Sequence, residues 1–267
     1  MKRYAWCSDI HMDISWLPFL KRLYAMNLER AGADGLFLTG DVSSGPFIES
    51  DLAFIAKHFK GPVYFVLGNH DYYGRHIESV HDDVRRVCRK HSNLHWMTDQ
   101  DIVSLEEDVA LIGTEGWYDG RLGLPDHLRW TLDRAVVIDF FHMSSMEERI
   151  EAWRAMADRS ADIIGERLER ALQTHKTVYI LTHFPPWGEA TTASGTKQAD
   201  FWLPYNTNFT LGQRIEEVMQ GRKKKRCIVL AGHTHYPCRV RVSNSVECMV
   251  ARAKYFGEIR PEETLVV

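Results

Sequence analysis

The chain is predicted to adopt an α/β fold built on a mixed sheet. Three observations carry that prediction. Through the first hundred residues, short apolar runs of strand character alternate with stretches of helical apolar spacing. Short polar words follow the apolar runs directly: Asp9 and His11, Asp41, then Asn69. The interval from His11 to Asp41 and from Asp41 to Asn69 is roughly 30 residues, the length of one β-α-β unit. Ligands in open α/β sheets gather at the carboxyl ends of strands, which is where these words fall.

The elements follow in order. Residues 3–7 read as a strand, and residues 17–31 as a helix with apolar positions at Leu17, Leu20, Leu23, Tyr24 and Leu28. Residues 35–39 form a short apolar strand, 52–59 a helix, and 63–67 a β-branched and aromatic strand. A helix over 77–90 and a strand over 94–97 complete the run. Such alternation argues for strands buried on both faces. Residues 101–105 and 109–113 are joined by the acidic turn Glu106-Glu107-Asp108 and read as a hairpin, so the sheet is expected to be mixed. Residues 115–142 combine aromatic and charged side chains with little period, whereas 145–174 read as one or two helices. A strand over 177–182 delivers His183, and residues 184–209 form a long polar and aromatic loop. The order ends with a helix over 211–219 and strands over 227–231, 239–242 and 247–250. One domain spanning residues 1–267 is expected, with an insertion near 115–145 and a loop beside the site near 184–210.

Composition narrows the function classes. A hydrophobic content of 45% over 267 residues supports a sizeable core, and a formal charge of -3 gives no global field for nucleic acid. The basic run from Arg222 to Arg226 reads as a solvated turn that helps end a helix. No apolar run reaches about 18 residues, so no membrane span is expected. The five cysteines contain no C-x-x-C pair and read as reduced thiols. The first polar word starts at Asp9, so a removable leader would consume the first strand; a cytoplasmic protein is expected. No obligate protein partner is evident.

The polar words carry the chemistry. Asp9 and His11 stand two apart, so strand geometry would point a carboxylate and an imidazole to one side. Gly40 lets the backbone turn sharply before Asp41, whose carboxylate could bridge two cations or cap the next segment. In Gly68-Asn69-His70-Asp71, Asn69 offers a neutral carbonyl oxygen, His70 can carry a proton, and Asp71 could orient that imidazole. A Gly-Asn pair also marks ordinary turns. Gly232-His233-Thr234-His235 sets two imidazoles around one small residue, and His183 occupies the same position after its own strand, before Pro185-Pro186. The ligands are nitrogen and oxygen without sulfur, a set suited to Mn, Fe or Zn.

This ordered set of five words, from Asp9 to His235, resembles the calcineurin-like metallophosphoesterases. The resemblance implies a four-layer αββα sandwich of two mixed sheets with two metal ions at one edge. It implies that Asp9, His11 and His235 hold one ion, that Asn69, His183 and His233 hold the other, and that Asp41 bridges them. His70 would face the substrate. No ligand of the set is missing, which argues against a metal-free scaffold or a module in which metals only brace a partner surface. No G-x-G-x-x-G turn and no H-x-H-x-D-H word is present, against a dinucleotide-binding and a metallo-β-lactamase fold.

The expected activity is hydrolysis of a phosphate ester by a hydroxide shared between two divalent or trivalent cations about 3.5–4 Å apart. His70 would protonate the leaving group with support from Asp71. A phosphodiester is the expected substrate, a nucleotide or nucleic acid among the candidates, with a phosphomonoester as the alternative. Tyr73, Arg75 and His76 follow the GNHD word and are expected to contact substrate, although Tyr72 and Tyr73 could equally pack the loop. Trp117, Tyr118, Arg121, Arg129, Trp130, Trp187, Phe201, Trp202 and Tyr205 offer either a stacking platform or a small core beneath long loops.

Overall fold

The computed structural model describes residues 2–14, 18–191, 197–253 and 264–267. The first half runs β1 (Arg3–Cys7), α1 (Pro18–Arg30), β2 (Gly35–Thr39), α2 (Ile48–His58), β3 (Val63–Val66), α3 (Ile77–Lys90) and β4 (Leu94–Trp96). A hairpin of β5 (Val103–Glu106) and β6 (Val109–Gly113) follows, then two one-turn helices, α4 (Asp133–Val136) and α5 (Ile138–Phe141). The long α6 (Met146–Thr174) leads to β7 (Thr177–Leu181), α7 (Lys197–Asn206), α8 (Phe209–Met219) and β8 (Arg226–Ala231). The chain closes with β9 (Cys238–Arg241), β10 (Val246–Val250) and β11 (Thr264–Val266).

The strands form two mixed sheets. In the first, β1 to β4 are parallel neighbours and β11 adds an antiparallel edge beside β1. In the second, ordered β5-β6-β7-β8-β10-β9, the inner four strands are parallel and both edge strands antiparallel.

Period-two alternation sorts the side chains into three cores, and the three cores define four layers. Tyr4, Trp6, Phe37 and Val66 from the first sheet meet Leu111, Tyr179, Leu181, Ile228 and Leu230 from the second. The opposite faces carry Ala5, Cys7, Leu36, Leu38, Val63 and Phe65, which pack with Leu28, Leu52, Ile55, Val80 and Val84 of α1, α2 and α3. Val178, Ile180, Cys227 and Val229 pack with Ile164, Leu168, Leu211 and Ile215 of α6 and α8. The αββα sandwich is therefore present. All five cysteines are free thiols. Among the described residues, no helix is long and apolar enough to cross a membrane.

Two departures from the sequence reading have physical causes, and one open reading is settled. Residues 145–174 form a single helix, with Ser145 Oγ accepting from the Glu148 N–H at its start. The region 184–210 contains a helix, α7, that carries Pro204 in its interior, a residue that argues against helix when read alone. Residues 192–196 of that region lie outside the described residues, as does Leu17 at the expected start of the first helix. The last strand, β11, is three residues long and draws its support from β1, so no local period announces it.

Phe37 sits at the centre of the inter-sheet core, fully buried, its ring stacked 4.6 Å from Tyr4. Phe37→Ala is expected to lower the unfolding free energy by about 3–5 kcal/mol, measured by urea denaturation followed by circular dichroism.

Candidate metal centre

The polar words converge at one edge of the sandwich, where strands of both sheets end. Asp9 and His11 follow β1, Asp41 follows β2, Asn69 and His70 follow β3, His183 follows β7, and His233 and His235 follow β8. Donor atoms of Asp9, His11, Asp41 and His235 all lie within 4.8 Å of one another. Asp41 Oδ1 is 3.4 Å from His183 Nε2, and its Oδ2 is 3.9 Å from His11 Nε2. Asn69 Oδ1 is 3.2 Å from both His183 Nε2 and His233 Nδ1. All seven predicted ligands thus form one cluster, with the Asp41 carboxylate between its two halves.

Backbone geometry differs from the strand-like pairing expected for Asp9 and His11. β1 ends at Cys7, and the pair lies beyond it in the left-handed region, at φ 52° and 42°. Asp41, His233 and His235 share that conformation, at φ 49°, 68° and 63°, and no other described non-glycine residue does. Each such residue costs on the order of 1–3 kcal/mol and persists only where its surroundings enforce it. Here the enforcement is a lattice of hydrogen bonds between loops. The His11 N–H donates to the Asp41 carbonyl (3.0 Å), and the Asp9 N–H to the Gly40 carbonyl (3.1 Å). The His233 N–H donates to the Asp9 carboxylate (3.1 Å), and the His70 N–H to Asp41 Oδ1 (2.9 Å). Gly40 turns at φ 93° as expected, and a Cβ on Gly68 would overlap the Asp41 carboxylate.

The donor set fits cations. The buried His183 Nδ1 lies 2.7 Å from the Thr39 carbonyl, which can only accept. The neutral ring therefore carries its proton on Nδ1 and turns the Nε2 lone pair toward Asn69 Oδ1. Two lone pairs facing each other across 3.2 Å are stabilised by a positive charge between them. The buried His233 Nε2 has no hydrogen-bond partner. Without a cation, the acidic neighbours instead favour charge on two of the rings. Burial disfavours charge on His183, but the Asp41 carboxylate outweighs it and pushes the imidazole up to about 9. Burial also opposes charge on His235, yet the hydrogen bond with Asp9 raises it. Burial dominates at His11 and His233 and lowers both.

Asp71 departs from its expected role. Its Oδ1 accepts from the Ser43 N–H (2.8 Å) and its Oδ2 from the Gly68 N–H (2.8 Å), so both oxygens serve loop backbone and neither supports the His70 ring. The two residues occupy successive positions of one 3₁₀ turn, His70–Tyr72, which sends their side chains apart. Burial and the neighbouring Asp41 charge push the Asp71 carboxyl up, while the two N–H donors oppose the shift. His70 keeps 35% of its side chain exposed, with Nε2 3.9 Å from Asp41 Oδ2.

Each of the expected substrate contacts has a partner within the protein. Arg75 pairs with Asp83 (3.0 Å), and His76 lies 3.4 Å from Asp139. Tyr73 stacks its ring 4.2 Å from His70 but turns its hydroxyl inward to Asp133 (2.6 Å). Tyr72, Trp117 and Tyr118 are core residues, and Arg121 pairs with Asp158 (2.6 Å). Asp133 went unread in the sequence. It is buried, sits in the unpatterned segment, and touches Asn69, and no spacing rule marks it.

Fold and cluster together define a phosphoesterase of the calcineurin type. A model of the calcineurin-like phosphoesterase family matches residues 2–237, and the chain belongs to that family of metal-dependent phosphoric ester hydrolases. A phosphopantetheinyl hydrolase from Mycobacterium tuberculosis is similar in structure, with TM-score 0.61, 16% identity, and coverage of 94% of this chain and 89% of that one. A dimetal phosphatase from Danio rerio is similar with TM-score 0.57 and 12% identity, covering 98% of this chain and 90% of that one. A Thermus thermophilus protein, TT1561, is similar with TM-score 0.51 and 12% identity, covering 95% of this chain and 90% of that one. These likenesses concern the fold. No curated protein matches the sequence.

The raised imidazoles make a signed prediction. A His held above its unfolded value of about 6.5 stabilises the fold below that pH. For His183 this contribution is lost as pH rises through about 9. The melting temperature of the metal-free protein is expected to fall between about pH 6.5 and 9, and Mn²⁺ binding at neutral pH is expected to release protons. Calorimetric titration of Mn²⁺ in buffers of different ionisation enthalpy measures the release.

Proposed function

We propose that the protein hydrolyses a phosphodiester at this cluster. Asp9, His11 and His235 hold one cation, Asn69, His183 and His233 hold the other, and Asp41 faces both. Bound there, two ions of Mn, Fe or Zn would supply Lewis acidity and a nucleophile at neutral pH. His70 stands partly exposed over Asp41 and donates a proton to the departing oxygen. Asp71 holds the loops after β2 and β3 together through Ser43 and Gly68, and so sets where His70 and Asp41 stand.

The observation that carries the diester reading is the commitment of Arg75 to Asp83 and of His76 to Asp139. A phosphate monoester carries close to two negative charges at neutral pH, because its second pKa is about 6, whereas a diester carries one. A site built for the extra charge needs a further cation beside the ester, and Arg75, the arginine that follows the GNHD word in the chain, is already paired. Trp202 and Tyr236 are exposed and offer stacking faces, so nucleotide-type diesters are the first class to test. Five free thiols suit a reducing, cytoplasmic setting.

Asp41→Asn is expected to abolish turnover and metal loading together. His70→Gln is expected to lower kcat by about 10²–10⁴-fold on a diester with a poor leaving group while metal content stays unchanged. Full activity in that variant would remove His70 from the mechanism. Turnover of bis(p-nitrophenyl) phosphate is expected to exceed that of p-nitrophenyl phosphate, and a large preference for the monoester would reverse the assignment.

A further inference from the structure

A carboxamide is an ambiguous metal ligand. Its oxygen can donate a lone pair to a cation and its NH₂ cannot, yet the two ends have nearly the same shape. Something outside the cation must choose the end that faces inward at Asn69.

The surroundings of Asn69 make that choice. Its Nδ2 lies 2.9 Å from Tyr73 Oη, 3.0 Å from Asp133 Oδ1 and 3.0 Å from Tyr205 Oη. Tyr73 Oη in turn donates to Asp133 Oδ1 (2.6 Å), which fixes that hydroxyl as an acceptor toward the amide. With acceptors gathered on one side, Oδ1 is left pointing at His183 Nε2 and His233 Nδ1. The three groups come from separate parts of the chain: Tyr73 beside the GNHD turn, Asp133 at the start of α4, and Tyr205 in α7.

Asp133 is the anchor of the set. It is fully buried, its Oδ1 receives both Asn69 and Tyr73, and the Tyr118 hydroxyl stands by the carboxyl group as well. Burial pushes this carboxyl group up against the pull of its hydrogen-bond donors, so it is a poor stability device. It is a good electrostatic one, because a carboxylate behind the NH₂ polarises the amide and strengthens its carbonyl oxygen as a donor.

We infer that Asp133 is a positioning residue for the metal centre. It selects the carbonyl end of Asn69 and raises its donor strength, so that the segment around α4 sets the affinity of the ion held by Asn69, His183 and His233. The inference rests on the metal-ligand assignment and not on the choice between diester and monoester, and its test reads metal directly.

The test is Mn²⁺ titration of the metal-free protein by isothermal calorimetry, with bound metal counted by mass spectrometry. Asp133→Ala is expected to weaken one Mn²⁺ by about 10–100-fold while the other binds as in the wild type. Asp133→Asn keeps an oxygen acceptor without its charge. It is expected to recover most of the loss, leaving a deficit of about fivefold, the difference between a charged and a neutral acceptor. Two sites of unchanged affinity in Asp133→Ala would overturn the inference, as would an Asp133→Asn protein as weak as Asp133→Ala. Should Asp133→Ala not fold, Tyr73→Phe/Tyr205→Phe removes two acceptors without touching the carboxylate. The same selective weakening is expected there, and wild-type affinity for both ions would overturn the proposal.

Discussion

The metal centre depends on one junction, the place where the ends of two separate sheets are tied together. Thr39 ends β2 in the first sheet, and its carbonyl receives His183 Nδ1 from the end of β7 in the second. Asp9 follows β1, and its carboxylate receives the N–H of His233 from beyond β8. Each tie joins residues far apart in sequence and brings polar side chains from both sheets into one cluster. The inter-sheet core around Phe37, Tyr179 and Leu230 makes the ties achievable, since it holds the two sets of strand ends in register.

The ligand loops are under strain, and the strain has a specific location. Asp9, His11, Asp41, His233 and His235 all adopt left-handed backbone. Glycine enters that region most readily, and any side chain meets a steric penalty there, one that Asp, Asn and His tolerate better than most. Accepting that penalty lets successive residues project their side chains inward from very short loops. The interloop hydrogen bonds from His11, Asp9, His233 and His70 lock the geometry before any ion arrives. A preformed donor set loses less conformational entropy on binding and holds a tighter geometry than one assembled by the ion.

Charge within the centre is distributed unevenly. Asp9 and Asp41 carry the carboxylates of the cluster and lie with His11 and His235, while Asn69, His183 and His233 bring no carboxylate of their own and stand beside Asp41. Asp133 stands behind the Asn69 amide, and in the positioning role proposed for it its charge acts on the cluster through that amide. Tyr205 of α7 closes on the same amide, so two irregular stretches of chain, near 115–145 and 184–210, meet at a single ligand.

Much of this was legible in the sequence. Apolar alternation located nearly every strand, and the polar words after β1, β2, β3, β7 and β8 named every member of the cluster. Strand periodicity and strand-end position are local properties, so a single sequence displays them. Three things were not local. Asp71 bonds the N–H groups of Ser43 and Gly68 instead of supporting His70, because a 3₁₀ turn aims neighbouring side chains apart. Arg75 and His76 meet Asp83 and Asp139, partners that no spacing in the sequence marks. Asp133 reaches Asn69 from 64 residues away in the chain, within a stretch whose short helices carry no period. Residue type and spacing state which groups can bind a cation. Where a side chain points, and which partner claims it first, follows from contacts between distant segments, and those exist only once the two sheets have packed.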